Sequence, residues 1–173
     1  MAENPAATVT LEFSLELQTD PLGAQLDVSV PDAASDSARQ AFLDSAESAL
    51  VGASGNLVSQ AVGEAHDQLA SFASAQGGYA YEPVESSFEG VTVDRGPHGL
   101  TIEWSWSHVA AGLWEFGVPP HTIEGDPLHF YWATKDQWIQ TDEVNWGSKT
   151  GGIAEARWVR DSLHWLRREV AQT

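Results

Sequence analysis

Thr8-Val9-Thr10-Leu11-Glu12-Phe13-Ser14-Leu15-Glu16-Leu17 alternates without a break. Val9, Leu11, Phe13, Leu15 and Leu17 fall on one face, and Thr8, Thr10, Glu12, Ser14 and Glu16 on the other. A period of two over ten residues predicts a half-buried strand. Asp20-Pro21-Leu22-Gly23 makes a turn, and Leu26, Val28 and Val30 resume the alternation, so the chain opens with a β-hairpin. The same period returns in Leu100-Thr101-Ile102-Glu103-Trp104-Ser105-Trp106, with Leu100, Ile102, Trp104 and Trp106 together. Val91 to Asp94 supplies its hairpin partner across Gly96-Pro97-His98-Gly99.

Between these hairpins the period changes to that of a helix. Phe42, Ala46, Ala49, Ala53 and Leu57, then Val58, Val62, Ala65, Leu69 and Phe72, trace one stripe. Asp32 or Ser35 can cap its start, and Gly77-Gly78 ends it. Gly52 and Gly55 interrupt it, so either one kinked helix or two helices are expected. Tyr79 to Glu89 reads as an acidic loop, and Val109 to Trp114 as a short helix stopping near Gly117. Ile123 opens an extended piece, Leu128 to Trp132 and Glu143 to Trp146 read as strands, and a last helix runs from about Ile153 to Val170. The order β-β-α-β-β-α-β-β-α predicts one α+β domain over residues 1–173. Its sheet is mostly antiparallel, with a long central helix and a C-terminal helix packed on one face.

Charge bounds the surroundings. Eight bases against twenty-five acids give −17, and only Lys135 and Lys149 are lysines. With 42% apolar residues the chain still carries a core, so it is not a disordered acidic tail. An Ala-rich, Lys-poor, acidic folded domain looks like a product of a salt-saturated cytoplasm, where salt screens the self-repulsion. No basic patch supports non-specific nucleic-acid binding. No apolar run reaches membrane-spanning length. Met1-Ala2-Glu3-Asn4-Pro5 lacks a basic n-region, which argues against a secretory signal. Absence of cysteine rules out disulfides and thiolate chemistry.

The chemistry-bearing residues lie late. Before Arg95 there is one base, Arg39, against fifteen acids; from Arg95 onward there are seven bases and ten acids. All eight tryptophans follow position 100. His108 and Glu115 would share a helical face, with His121 and His129 following, but no His-x-x-x-His pair is present. Ser105-Trp106-Ser107-His108 has no nucleophile elbow around it. No phosphate-binding or dinucleotide-binding glycine pattern occurs, so no cofactor is expected. Glu115 with Glu124 or Asp126 is a carboxylate pairing that any acidic chain offers freely. Glu115-Phe116-Gly117-Val118-Pro119-Pro120-His121 stands apart as a rigid corner among aromatics, a fitting contact surface. Arg157, Arg160, Arg167 and Arg168 form the one basic stripe, partly offset by Asp161 and Glu169.

Taken together, His108-x5-Trp114-Glu115-Phe116-Gly117-x-Pro119-Pro120-His121-x-Ile123-Glu124-Gly125 is similar to the Glu-x-Gly-Thr-x-Pro-His-x-Ile stretch of tail-completion (neck, head–tail joining) proteins of long-tailed viruses. Ala156 to Glu169 resembles the C-terminal helix of the haloarchaeal branch of that family. The resemblance covers about residues 90 to 170. Val118 stands where the family has Thr, and Val144-Asn145-Trp146-Gly147 replaces a His-Pro-Gly-like turn. The resemblance implies a structural virion protein without catalytic activity. It would form a ring, commonly a hexamer, between the head–tail connector proteins and the tail tube protein, with genome DNA passing through the lumen. The expected contact surface is Trp114, Glu115, Phe116, Gly117, Pro119, Pro120 and His121, with Arg157, Trp158, Arg160, Arg167 and Arg168 of the last helix. The alternatives are a connector stopper, a tail terminator or a small haloarchaeal hydrolase with a His/Glu site.

Overall fold

A computed structural model of the chain describes residues 11–31, 35–53, 56–78 and 80–172. Strand β1 (Glu12–Thr19) pairs antiparallel with β2 (Leu22–Ser29), and β2 with β4 (Gly99–Trp106), whose other edge takes β3 (Phe88–Arg95). The four-stranded order β1-β2-β4-β3 places the two hairpins side by side. Leu22, Ala24, Leu26 and Val28 of β2 and Leu100, Ile102, Trp104 and Trp106 of β4 are buried, as the alternation demands of central strands. Thr8, Val9 and Thr10 of the expected first strand lie outside the described residues, as do Asp32, Gly55 and Tyr79.

The central stripe divides into two helices, α1 (Asp36–Val51) and α2 (Leu57–Ala75). The break is built chemically. Asn56 caps α2 by accepting from the Ser59 amide and donates to the carbonyl of Gly52, which ends α1, both at 2.7 Å; at the other end of α1, Ser35 accepts from the Ala38 amide at 3.1 Å. On α2 the buried side is Val58, Ala61, Val62, Ala65 and Leu69, close to expectation. On α1 it is Leu43, Ala46 and Leu50, while Phe42 and Ala49 face outward. Both stripes are helical in period; packing selected the one rotated by about a residue, which buries Leu43 and Leu50 and leaves Phe42 and Ala49 outside.

Two further elements depart from expectation. The loop after α2 contains a one-turn helix, α3 (Glu82–Glu85), which drives Val84 into the core. The last helix, α5 (Trp158–Val170), starts five residues later than its apolar pattern, because Ile153 pairs with Val118 as an isolated bridge. Packed against α2 and β1, α5 buries Trp158, Val159, Leu163 and Leu166. The Trp158 and Trp106 rings meet edge-on at 4.7 Å, joining helix to sheet. The result is an α+β body with its C-terminal helix packed into it.

Strands β5 (His121–Trp132) and β6 (Gln137–Trp146) stay outside that sheet and form a ribbon of their own. Their register runs from His121↔Trp146 to Trp132↔Gln137, with a bulge between Glu124 and Leu128. No residue from 121 to 146 is buried. Twelve residues of extended chain reach up to ~40 Å, so the ribbon is an arm rather than a turn. No helix of the described residues is long and apolar enough to cross a membrane.

Candidate interaction surfaces

The corner begins with α4 (Val109–Phe116), capped by the His108 ring, whose Nδ1 accepts from the Ala110 amide at 3.1 Å. Trp114 packs on Phe72 and is 8% exposed. Glu115 is fully buried, and its partners explain why an acid stands there. Its Oε2 accepts from the Val159 amide at 2.8 Å, and its Oε1 from the Arg160 amide at 3.2 Å and the Arg160 Nε at 2.6 Å. The first turn of α5 has free amides and a positive dipole end. Arg157, the residue before it, sits at φ 55 and makes no side-chain cap. Glu115 therefore caps α5 from a different helix. Arg160 adds bonds to the Glu115 carbonyl at 2.7 Å and to Glu155 at 3.0 Å. These carboxylates, Glu115 foremost, raise the guanidinium's pKa above its ordinary value despite partial burial.

Backbone bonds close the clasp. The Val118 and Ile153 amides and carbonyls exchange bonds at 2.8 and 2.9 Å, and the Ala156 amide donates to Trp114 at 2.8 Å. Gly117, at φ 71 and ψ 172, occupies backbone space that side chains avoid. A Cβ there would also lie 2.7 Å from the Ile153 carbonyl. Among the described residues no buried side-chain polar atom lacks a hydrogen-bond partner.

This geometry corrects part of the expected contact surface. Trp114, Glu115 and Trp158 are buried within the chain, Trp114 packing α4 on α2 and the other two holding α4 to α5, so they are not available to a partner in this fold. Gly117 serves the same joint. Arg157 is engaged by Glu155 and Asp161, and Arg160 by Glu115 and Glu155. What remains outside is Phe116, Pro119, Pro120 and His121, with Arg167 and Arg168 at the far end of α5. The His121 Nδ1–H donates to the Pro119 carbonyl at 3.0 Å, and its ring lies on Trp146, tying the corner to the arm's root. Val109 (80% exposed), Leu113 and Phe116 follow a helical spacing and make an apolar stripe on α4 beside the two prolines. Arg160 lies over the Phe116 ring at 5.1 Å.

The far end of the arm carries three exposed rings that were not part of the expected contact surface. Trp138 is 76% exposed; Tyr131 and Trp132 are 47% and 42% exposed. Tyr131 packs on Trp138, Lys135 lies over Trp132, and the Tyr131 hydroxyl donates to Asp136. Trp132, the end of the expected Leu128 to Trp132 strand, stands exposed at the tip because β5 pairs with β6 alone. The available signal was three rings within eight residues, interrupted by polar Lys135, Asp136 and Gln137.

The His108 ring serves as a helix cap, and the His121 ring donates to a backbone carbonyl. No group of three or more metal-ligating side chains occurs among the described residues. Comparison of the chain with protein-family models, curated proteins and solved structures finds no match.

Proposed function

We propose that this chain is a structural protein of a haloarchaeal tailed virus or provirus. It forms a ring in the neck, completes the tail and joins it to the head connector. The observation that carries this reading is the arm: a two-stranded ribbon with no buried residue and three exposed aromatic rings at its tip. An isolated two-stranded ribbon is marginal in water, and exposed aromatic clusters are characteristic of binding surfaces. Such an arm is suited to making contacts outside its own chain.

The resemblance around Trp114 to His121, followed in order by the last helix, supplies the particular assembly. In this reading the exposed α4 stripe, Pro119-Pro120-His121 and the Arg167–Arg168 end of α5 meet neighbouring copies, the head–tail connector and the tail tube. Each copy offers different faces to its two neighbours, as a closed ring requires. DNA passes through the lumen without sequence-specific contacts, because an acidic wall repels phosphate. Assembly takes place in the host cytoplasm, and the finished site is the virion neck.

Cryo-electron microscopy of purified particles tests this. The expected outcome is a ring of this chain between connector and tube. Mass spectrometry that finds the chain missing from purified particles would refute the assignment.

A further inference from the structure

Phe42 and Ala49, turned out of the core by the choice of stripe on α1, face an apolar trough. It consists of two adjoining hollows of about 210 and 370 Å³ that share Leu11, Phe13 and Val170. One side is α1, the other the C-terminal part of α5, and edge strand β1 lies between them. Phe13 and Phe42 are 40% and 37% exposed in it. Among the described residues one charged side chain lines it, Arg167, with exposed Arg168 next in sequence.

The arm is complementary to this trough on two counts. Its tip presents Tyr131, Trp132 and Trp138, the chemistry that an apolar trough takes up. Its 121–146 segment carries five carboxylates against one lysine, whereas the trough's charged residue is an arginine. Position favours a second copy as the source of the tip. The arm is rooted where Val118 pairs with Ile153, before the N-terminal end of α5. The trough flanks Leu166 to Ala171, at the other end of the same helix. A projecting element and its complement at opposite ends of one body is the arrangement of a head-to-tail contact, which closes into a ring when the rotation per copy allows.

We infer that the aromatic tip of the β5–β6 arm of one copy docks into the β1–α1–α5 trough of the next. This rests on the reading of the chain as a self-assembling protein and specifies which faces join. Arg167 at the rim meets the arm's carboxylates, and Trp138 is the central anchor.

The test is a complementation experiment read by sedimentation velocity over a range of protein and salt concentrations. Trp138→Ser removes the tip anchor, and Phe42→Ser with Arg167→Glu spoils the trough; these side chains are exposed, and circular dichroism checks that both variants fold. Each variant alone is expected to weaken self-association by roughly tenfold or more, the scale of a lost aromatic anchor. Mixed, they should form one-to-one dimers that grow no further, since one retains a good trough and the other a good tip. Replacing Trp138 with p-benzoylphenylalanine should cross-link to β1, α1 or α5 of another copy. Variants that assemble like the wild type, or cross-links that map elsewhere, overturn the docking. So does a wild-type chain that stays monomeric throughout, or one that associates only after residues 1–10 are removed; the latter would make the chain's own N-terminal segment the occupant. A neck ring in particles whose arms lie outside the neighbouring troughs would sink this inference while leaving the ring itself standing.

Discussion

The clasp and the arm lie next to each other in sequence and are opposites in physical design. In the clasp, from Trp114 to Val118 and Ile153 to Arg160, a buried carboxylate finds two amides and a guanidinium. In the arm, from His121 to Trp146, no residue is buried and aromatic rings face water. Hydrogen bonds within one chain complete the first, whereas the second leaves large apolar surfaces without cover. Tryptophan and charge in one segment of sequence thus serve either the fold or its surface. Burial separates the two uses.

Breaking the clasp should have the largest effect. Glu115→Ala leaves the Val159 amide without its acceptor and Arg160 without its main partner, and should cost about 3 kcal/mol in chemical denaturation. Glu115→Gln keeps an acceptor but loses the charge, so a smaller loss is expected. If Glu115→Ala unfolds at the same denaturant concentration as the wild type, the carboxylate is not the cap of α5.

Gly117→Ala comes next. At φ 71 and ψ 172, with the Ile153 carbonyl 2.7 Å from the added carbon, it should destabilise by about 2 kcal/mol. A wild-type melting temperature for that variant would show that the joint can relax.

A third experiment uses pH and a half-buried histidine of the body, His66. His66 Nε2 accepts from the Trp106 indole N–H at 3.0 Å, a bond that requires the neutral ring. Burial lowers the His66 pKa below its ordinary 6.5, against the opposing pull of Glu85 and Asp67. The unfolded chain therefore takes up the proton first as pH falls. The stability is fully present above the unfolded value, declines through the window between the two values, and levels off beneath the folded one. Denaturation from pH 8 down to pH 5 should show this decline, and His66→Gln should flatten it; an equally steep decline in that variant would assign the effect elsewhere.

The smallest effect on stability belongs to the arm. Trp138→Ser should change monomer stability by less than about 0.5 kcal/mol, because the ring has little protein to leave, while association weakens. A large loss of monomer stability would mean that the tip packs on its own body after all.

Much of the body was legible in the sequence. The alternation of Leu26, Val28 and Val30 and of Leu100 to Trp106 identified the two central strands, because a strand buried on one face has a strict period of two, although Leu22 and Gly23, read as part of the turn, already belong to β2. The end of the long stripe at Gly77 and the stop of α4 at Gly117 were equally plain, since glycine marks backbone that other residues resist. The corner was legible as a special place but not in its purpose. A glutamate forty-four residues from the amide it caps leaves no local trace. The start of α5 was misplaced for the same reason: Ile153 to Ala156 fits the helical period, yet bonds to Trp114 and Val118 hold it extended.

By itself, the sequence determined the α+β class, the antiparallel hairpins, the acidity and the late clustering of tryptophan, all properties of local period and composition. Tertiary structure alone decided that Glu115 points inward to cap α5, that Leu43 rather than Phe42 fills the core, and that β5 and β6 stand apart as an arm. Those outcomes depend on contacts between residues distant along the chain. Periodicity shows that a face is apolar; the packed fold determines what covers it.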